Sequence, residues 1–252
     1  MIALTRAVST SLARCELTHL SRSPIDVERA RAQHQAYEEA LSSLGVRVLS
    51  LPELPDLPDA VFVEDTAVVT PELAVITRPG AESRRLEVET VAAALAPHRT
   101  LARIEAPATL DGGDVLRLGK AIFVGRSSRT NDEGIAQLRG LVAPFGYSVK
   151  AVIVNGCLHL KSAVTEVADN LLLVSPSWVD PTLFGARWIE VHPSEPTGAN
   201  ALRAGAHVLH TASHPRTGER LQKEGIRIVQ VDVSELEKAE AALTCCSILL
   251  DD

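Results

Sequence analysis

Gly112-Gly113-Asp114-Val115-Leu116-Arg117-Leu118-Gly119-Lys120-Ala121-Ile122-Phe123-Val124 reads as one repeat of the fold: a polar lead-in, a short apolar strand, a two-residue turn and a second strand. A glycine-containing pair between two apolar runs is a hairpin signal. The same order of parts returns along the chain. Ala67-Val68-Val69, Thr70-Pro71-Glu72 and Leu73 to Thr77 form another pair, as do Val164 to Val167, Ala168-Asp169-Asn170 and Leu171 to Val174. Ala201 to Arg203, Gly205 and Ala206 to His210 form a fourth, and Cys246 to Leu250 begins a fifth. Recurrence roughly every 40–50 residues falls in the range of repeat architectures.

Helical stretches separate the hairpins. Asp26 is a candidate N-cap for a helix running to about Leu44, where Gly45 ends it and Val46 to Leu49 reads as a strand. Further helices are expected over Ser83–Ala96, Asn131–Ala143, Pro215–Glu224 and Ser234–Ala242. Strands alternating with helices predict an α/β protein, and 252 residues without a long linker predict one domain, 1–252. Segment 9–25 is polar and weakly patterned, which suits either a plain connection or a mobile lid. The five lead-ins are Glu64-Asp65-Thr66, Gly112-Gly113-Asp114, His159-Leu160-Lys161, Gly198-Ala199-Asn200 and Thr244-Cys245. If the repeats pack around a pseudo-symmetry axis, these strand ends converge on it and bring distant residues together.

Composition narrows the partners. Hydrophobic residues are 46% of the chain and aromatics only 3%, so the core rests on Ala, Val, Leu and Ile. A net charge of -7 argues against nucleic acid, whose phosphates need a basic face. No apolar run approaches the roughly 20 residues that span a bilayer, and no signal peptide is evident. Cys15, Cys157, Cys245 and Cys246 lack the spacing of a zinc site and read as reduced thiols, which fits the cytoplasm. His207 and His210 would face opposite sides of a strand and read as structural.

The reactive residue types are a thiol, Cys245, a histidine, His159, and the carboxylates Glu64, Asp65 and Asp111. Each has a bland reading. A cysteine beside an apolar strand is commonly a buried small hydrophobe, and Asp111-Gly112-Gly113-Asp114 reads as a turn whose glycines supply positive φ. Glu64-Asp65 inside an apolar run is harder to dismiss, because buried carboxylates need donors or a cation. Together the set suits attack on a cationic carbon such as that of a guanidinium. Alternation along a strand would point Cys246 away from the face of Cys245.

Several segments occur in a telling order: Val61-Phe62-Val63-Glu64-Asp65-Thr66-Ala67-Val68-Val69, Ile76-Thr77-Arg78-Pro79-Gly80-Ala81, Ser83-Arg84-Arg85 and Leu110-Asp111-Gly112-Gly113-Asp114-Val115-Leu116. Ser128-Arg129-Thr130-Asn131, Leu158-His159-Leu160-Lys161-Ser162 and Leu243-Thr244-Cys245-Cys246-Ser247 follow. This set, spread from about Thr5 to Leu250, closely resembles the dimethylarginine dimethylaminohydrolase family of the guanidine-modifying superfamily.

The resemblance implies a pentein-type propeller of five ββαβ units around a central substrate channel. It implies hydrolysis of Nω-methylated arginine to citrulline and methylamine or dimethylamine, with no metal or organic cofactor, by a protein compatible with a homodimer. Position by position it implies Cys245 as nucleophile, His159 as acid/base and Asp111 as the carboxylate supporting that histidine. It implies Asp59, Glu64 and Asp65 as acidic substrate contacts, Arg84 and Arg129 as the grip on the α-carboxylate, Leu17 as a lid residue and Ala239 as an aliphatic wall. An arginine deiminase acting on unmethylated guanidines would share this chemistry. So would an amidinotransferase, while a catalytically dead binder would not need the thiol, histidine and acids together. The Arg84–Arg129 pair speaks against agmatine, which has no carboxylate.

Overall fold

The computed structural model describes residues 1–251. Their strands form five separate three-stranded sheets built on one plan. Strands β1 (Ile2–Arg6) and β2 (Arg47–Leu51) pair in parallel across helix α1 (Val27–Ser43). The next sheet is the hairpin β3 (Ala67–Val69) and β4 (Leu73–Ile76), followed by helix α2 (Val88–Leu95) and β5 (Thr100–Arg103), parallel to β4. Hairpin β6 (Val115–Leu118) and β7 (Ala121–Arg126), helix α3 (Asp132–Val142) and β8 (Ser148–Ile153) repeat it.

A one-turn helix α4 (Leu160–Ala163) leads into β9 (Val164–Ala168) and β10 (Leu171–Val174), with β11 (Arg187–Glu190) parallel to β10. Here the crossover is a 3-10 turn, Pro181–Phe184, so this unit departs from the expected ββαβ plan. Hairpin β12 (Ala201–Ala204) and β13 (His207–Thr211), helix α5 (Pro215–Lys223) and β14 (Arg227–Val231) make the next sheet. After a short helix α6 (Ser234–Glu237), the chain returns as β15 (Ile248–Leu250), antiparallel to β1. That last pairing completes the first sheet with the end of the chain.

Packing closes the ring. Five apolar clusters each lie between two sheets: Val75 with Val124, Phe123 with Leu172, Leu173 with Val208, Leu209 with Ala3, and Leu4 with Ile76. Each sheet therefore buries one face against the sheet before it and one against the sheet after. At about 25 cal/mol per Å² of apolar area, these shared cores are the main force holding the lead-ins in place. The expectation of an α/β fold with five repeated units around a centre is met.

Local signals worked where side chains bond their own backbone. The Asp26 carboxylate accepts from Arg29 N and Asn131 Oδ1 from Gly134 N, capping α1 and α3 as a short acceptor should. Two expectations need correction. The stretch Ser83–Ala96 opens as a 3-10 segment, Glu82–Glu87, before α2 begins. The helix expected over Ser234–Ala242 stops at Glu237, and Glu240 takes a left-handed conformation with φ of 57°, which turns the chain towards Cys245.

Candidate active site

The lead-ins converge on one end of the ring. Asp65 comes from a 3-10 turn, Val63–Thr66, and Asp111 directly precedes another, Gly112–Asp114. His159 is the N-cap of α4, and Cys245 is the middle residue of the turn Thr244–Cys246. Asp59, Asp65, Arg84, Arg129, His159, Ala239 and Cys245 line one pocket, joined by Glu16, Phe62, Leu158, Glu240 and Ala241. A second cavity meets it at Leu158, Glu240, Ala241 and Cys245 and is walled by Leu20, Cys157 and Trp178.

The Cys245 sulfur is partly buried and accepts a hydrogen bond from Ala242 N at 3.4 Å. Burial first, then Glu64 and Asp65, pushes its pKa well above that of an ordinary thiol. These surroundings favour the neutral sulfhydryl over the thiolate. Cys246 is fully buried among Tyr37, Leu236 and Leu243, its sulfur 3.5 Å from Ala242 O. The two thiols do diverge, but a 3-10 turn separates them, not strand alternation.

His159 Nε2 lies 3.1 Å from Asp111 Oδ2, and Nδ1 lies 3.8 Å from Asp65 Oδ1. Burial by itself would lower the imidazole pKa. Asp65, Asp111 and Asp114 override that and raise it to about 9, since neighbouring negative charge favours the cation. The pocket thus presents an imidazolium at neutral pH. Asp65 is also resisted by burial, yet His159 and Arg84 hold it at about 2.

Glycine permits this approach. A Cβ on Gly113 would sit 2.7 Å from both Asp65 Oδ1 and His159 Nδ1, and one on Gly112 would sit 2.0 Å from Glu64 O. Neither residue has positive φ. Their value is the missing side chain and not, as expected from sequence, the turn. Gly113 N donates to Asp65 Oδ1 at 3.0 Å, and Gly80 N donates to Asp111 Oδ1 at 2.8 Å.

The two arginines differ. Arg84 is buried, with Nε and Nη2 on Glu87, Nη1 on Asp65 at 2.6 Å, and Nη2 also on the carbonyls of Asp59 and Phe62. It is chiefly the cation that offsets buried acid. Burial would lower its pKa, but Glu87, Asp65 and Asp59 raise it well above the usual value. Arg129 makes one side-chain bond, Nη2 to Thr18 Oγ1 at 3.1 Å, and has no carboxylate in ion-pair contact among the described residues.

Glu64 is not brought into this pocket. Its carboxylate takes Lys161 Nζ at 2.6 Å and Thr244 Oγ1 at 2.8 Å, and it lines a cavity that also includes Arg117, Arg203 and Leu249. Adjacent residues on a tight turn face different directions, so of the expected acidic contacts Asp59 and Asp65 line this pocket and Glu64 does not.

Segment 9–25 begins in the core, with Ser9, Leu12 and Cys15 buried. Its exposed part crosses the pocket mouth. Glu16 N donates to Asp59, and the Glu240 carboxylate accepts from the backbone of Thr18, His19 and Leu20. Leu17 is half-buried against the neighbouring core and does not line the pocket, whereas Ala239 does.

Sequence reasoning missed three supporting residues. Asp114 accepts from Leu160 N, Ser127 Oγ and Thr130 Oγ1, fixing the backbone beside His159; burial raises its pKa to about 6. Its place in a lead-in was the available signal. Glu87, three residues after Arg84 in a helical stretch, was visible only as a common surface pattern. Glu240 carried no signal at all. Asp65, Asp111 and His159 offer ligand atoms within 4.8 Å of one another. Spacing alone would suit a metal ion, but these acids already accept from Gly113, Gly80 and Arg84 and face a cationic ring.

A family model described as N,N dimethylarginine dimethylhydrolase, eukaryotic, matches residues 18–181. The N(G),N(G)-dimethylarginine dimethylaminohydrolase of Streptomyces coelicolor is 44% identical over 250 residues, covering 98% of this chain and 96% of that protein. The Pseudomonas aeruginosa enzyme of the same name is 36% identical over 227 residues, 88% of this chain and 89% of its own. A solved structure of the P. aeruginosa protein, a Cys-to-Ser mutant complexed with citrulline, superposes with a TM-score of 0.93 at 34% identity, covering 98% of both chains. The N-terminal domain of a cyanobacterial arginine dihydrolase shares the fold, with a TM-score of 0.87 at 16% identity.

Proposed function

The chain belongs to the dimethylarginine dimethylaminohydrolase family, and we infer that it hydrolyses Nω-methylated L-arginine to L-citrulline and an alkylamine through Cys245. One observation carries this reading: a partly buried thiol shares a pocket with a cationic histidine, the acids Glu16, Asp59, Asp65 and Glu240, and Arg129, which has no carboxylate in ion-pair contact among the described residues. The substrate's guanidinium enters beside Asp59 and Asp65, and Arg129 holds the α-carboxylate. A guanidinium next to sulfur offsets the burial and the acids that keep the thiol protonated, so on binding the thiol releases its proton to solvent and the thiolate forms.

The sulfur then bonds to the guanidinium carbon. His159 delivers its proton to the substituted nitrogen, and the C–N bond breaks to release dimethylamine or methylamine. What remains is a covalent thiouronium, which spreads one hard displacement over two steps. The neutral imidazole then takes a proton from water, whose oxygen attacks the same carbon. The C–S bond breaks, giving citrulline and the thiol. Asp111 holds Nε2 and the ring's orientation throughout. Four cysteines without a disulfide among the described residues suit a reducing compartment, and we place the enzyme in the cytoplasm.

Arg129→Ala is expected to raise KM for asymmetric dimethylarginine about 30-fold or more, since losing one partner of a buried charge pair costs around 2–5 kcal/mol. The same change should act far less on an analogue lacking the carboxylate. Equal penalties for both compounds would make Arg129 a structural residue.

Methylated arginine should be preferred over arginine itself. Phe62, Leu158, Ala239 and Ala241 give apolar room around Cys245. Unmethylated nitrogen would place donors there unpaired, at about 1–3 kcal/mol, or very roughly 5–150-fold in kcat/KM. Measuring kcat/KM for arginine, monomethylarginine and both dimethylarginine isomers tests this. A preference for plain arginine would indicate a deiminase instead.

A further inference from the structure

The fourth lead-in, Gly198-Ala199-Asn200, adds no side chain to the pocket that Cys245 shares with His159, although Asn200 reaches the wall of the cavity that adjoins it at Cys245. Asn200 is nevertheless buried and polar, 4% exposed. Its Oδ1 accepts from Thr244 N at 3.0 Å, and its Nδ2 donates to Thr244 Oγ1 at 2.8 Å and to Lys161 O at 3.1 Å. One amide thus grips the residue before the nucleophile by backbone and side chain together. Only this orientation works, because the amide oxygen faces a donor and the amide nitrogen faces two acceptors.

The chain of contacts continues. Thr244 Oγ1, having accepted from Asn200, donates to Glu64 Oε2 at 2.8 Å, and Glu64 Oε1 takes Lys161 Nζ at 2.6 Å. Asn200 also holds the Lys161 carbonyl, so the circuit closes on itself. It joins the lead-ins of β3, β9, β12 and β15 across the centre of the ring. Every polar group in it has a partner, which is the condition under which a buried network rigidifies its surroundings.

We propose that Asn200, together with Glu64 and Lys161 acting through Thr244, is the positioning device for the nucleophile: it fixes the turn that carries the Cys245 sulfur. This rests on Cys245 being the nucleophile. It gives the fourth unit a part in the reaction and gives Glu64 a task other than touching substrate. A displacement of about 1 Å in a reacting group can cost about 10²-fold in rate. The device should therefore affect bond formation at sulfur and leave substrate affinity alone.

The test uses Asn200→Asp and Asn200→Ala, with Thr244→Ser and Thr244→Val as a second pair. Asn200→Asp keeps the acceptor for Thr244 N but loses both donations. For each variant we would measure kcat, KM, melting temperature, and alkylation of Cys245 by iodoacetamide with peptide mass spectrometry. Affinity for asymmetric dimethylarginine would be measured by calorimetry in a Cys245→Ser background.

Both Asn200 variants should lose roughly 10²-fold in kcat and alkylate more slowly, with affinity unchanged to within about threefold. Thr244→Ser should stay near wild type and Thr244→Val should behave like the Asn200 variants. If the Asn200 variants do not fold, the Thr244 pair decides. Wild-type kcat in Asn200→Ala or Thr244→Val, or affinity falling as steeply as kcat, overturns the proposal. A Cys245→Ser enzyme that still turns over would sink the underlying mechanism instead, so the two failures are distinct.

Discussion

Cys245→Ser is expected to cut turnover of asymmetric dimethylarginine by more than about 10³-fold, the scale seen when a nucleophile is removed from a catalytic set. Cys246→Ser should keep most of it. Cys246 is fully buried among Tyr37, Leu236 and Leu243, so its replacement is a packing change with a polar cost, felt in melting temperature before rate. A hydroxyl there can still donate to Ala242 O, which now receives the thiol.

The companion measurement is thiol reactivity. Because burial, Glu64 and Asp65 keep the free-enzyme thiol protonated, iodoacetamide should modify Cys245 slowly near neutral pH. A guanidinium ligand that leaves the sulfur accessible should speed the reaction. Similar losses in both Ser variants, each folded, would remove Cys245 from its assigned role.

Much of this site could be read from sequence because the repeat is periodic and its lead-ins are local. Hairpins near Val68, Leu116, Val167 and Leu202 follow from apolar runs and turn residues, and their convergence follows from the repeat. What could not be read depends on approach through space. Gly112 and Gly113 look like turn residues until the backbone of Glu64 and the ring of His159 are set against them. Arg84 reads as a grip on a substrate carboxylate, and nothing local says that Glu87 and Asp65 also hold its guanidinium where it lines the pocket.

Glu64 and Asp65 differ by one position on a one-turn helix, and no pattern says that one faces Lys161 and the other His159. The helix expected to reach Ala242 ends early because Glu240 leaves helical space and caps the backbone of Thr18 to Leu20. That is a long-range interaction, 222 residues apart in the case of Thr18, and local propensity carries no trace of it.

His159→Gln should lower kcat by about 10²–10⁴-fold, the usual worth of a placed acid/base, with a much smaller change in ligand affinity. It should also change how stability depends on pH. The folded-state pKa of His159 is raised to about 9, against about 6.5 for an unperturbed histidine. A raised pKa means the folded state holds its proton more tightly than the unfolded chain does. The resulting stabilisation is fully present below about pH 6.5 and is lost as pH rises through 9.

Asp114 and Glu87, raised to about 6 and about 7, lose their contributions at lower pH. Glu87 and the buried thiols also titrate near the interval from about pH 7 to 8.5, but they are common to both proteins, so the comparison with His159→Gln isolates the histidine there. Across this interval the wild type should lose stability to urea, while His159→Gln, with no proton to lose there, should change less. Across these pH units the difference is bounded at about 2 kcal/mol, since one proton contributes at most about 1.4 kcal/mol per pH unit. Parallel stability curves in this interval would show that the ring is neutral in the folded enzyme. The proton given to the leaving amine would then have to come from the Cys245 thiol through His159, and the order of proton transfers proposed above would be reversed.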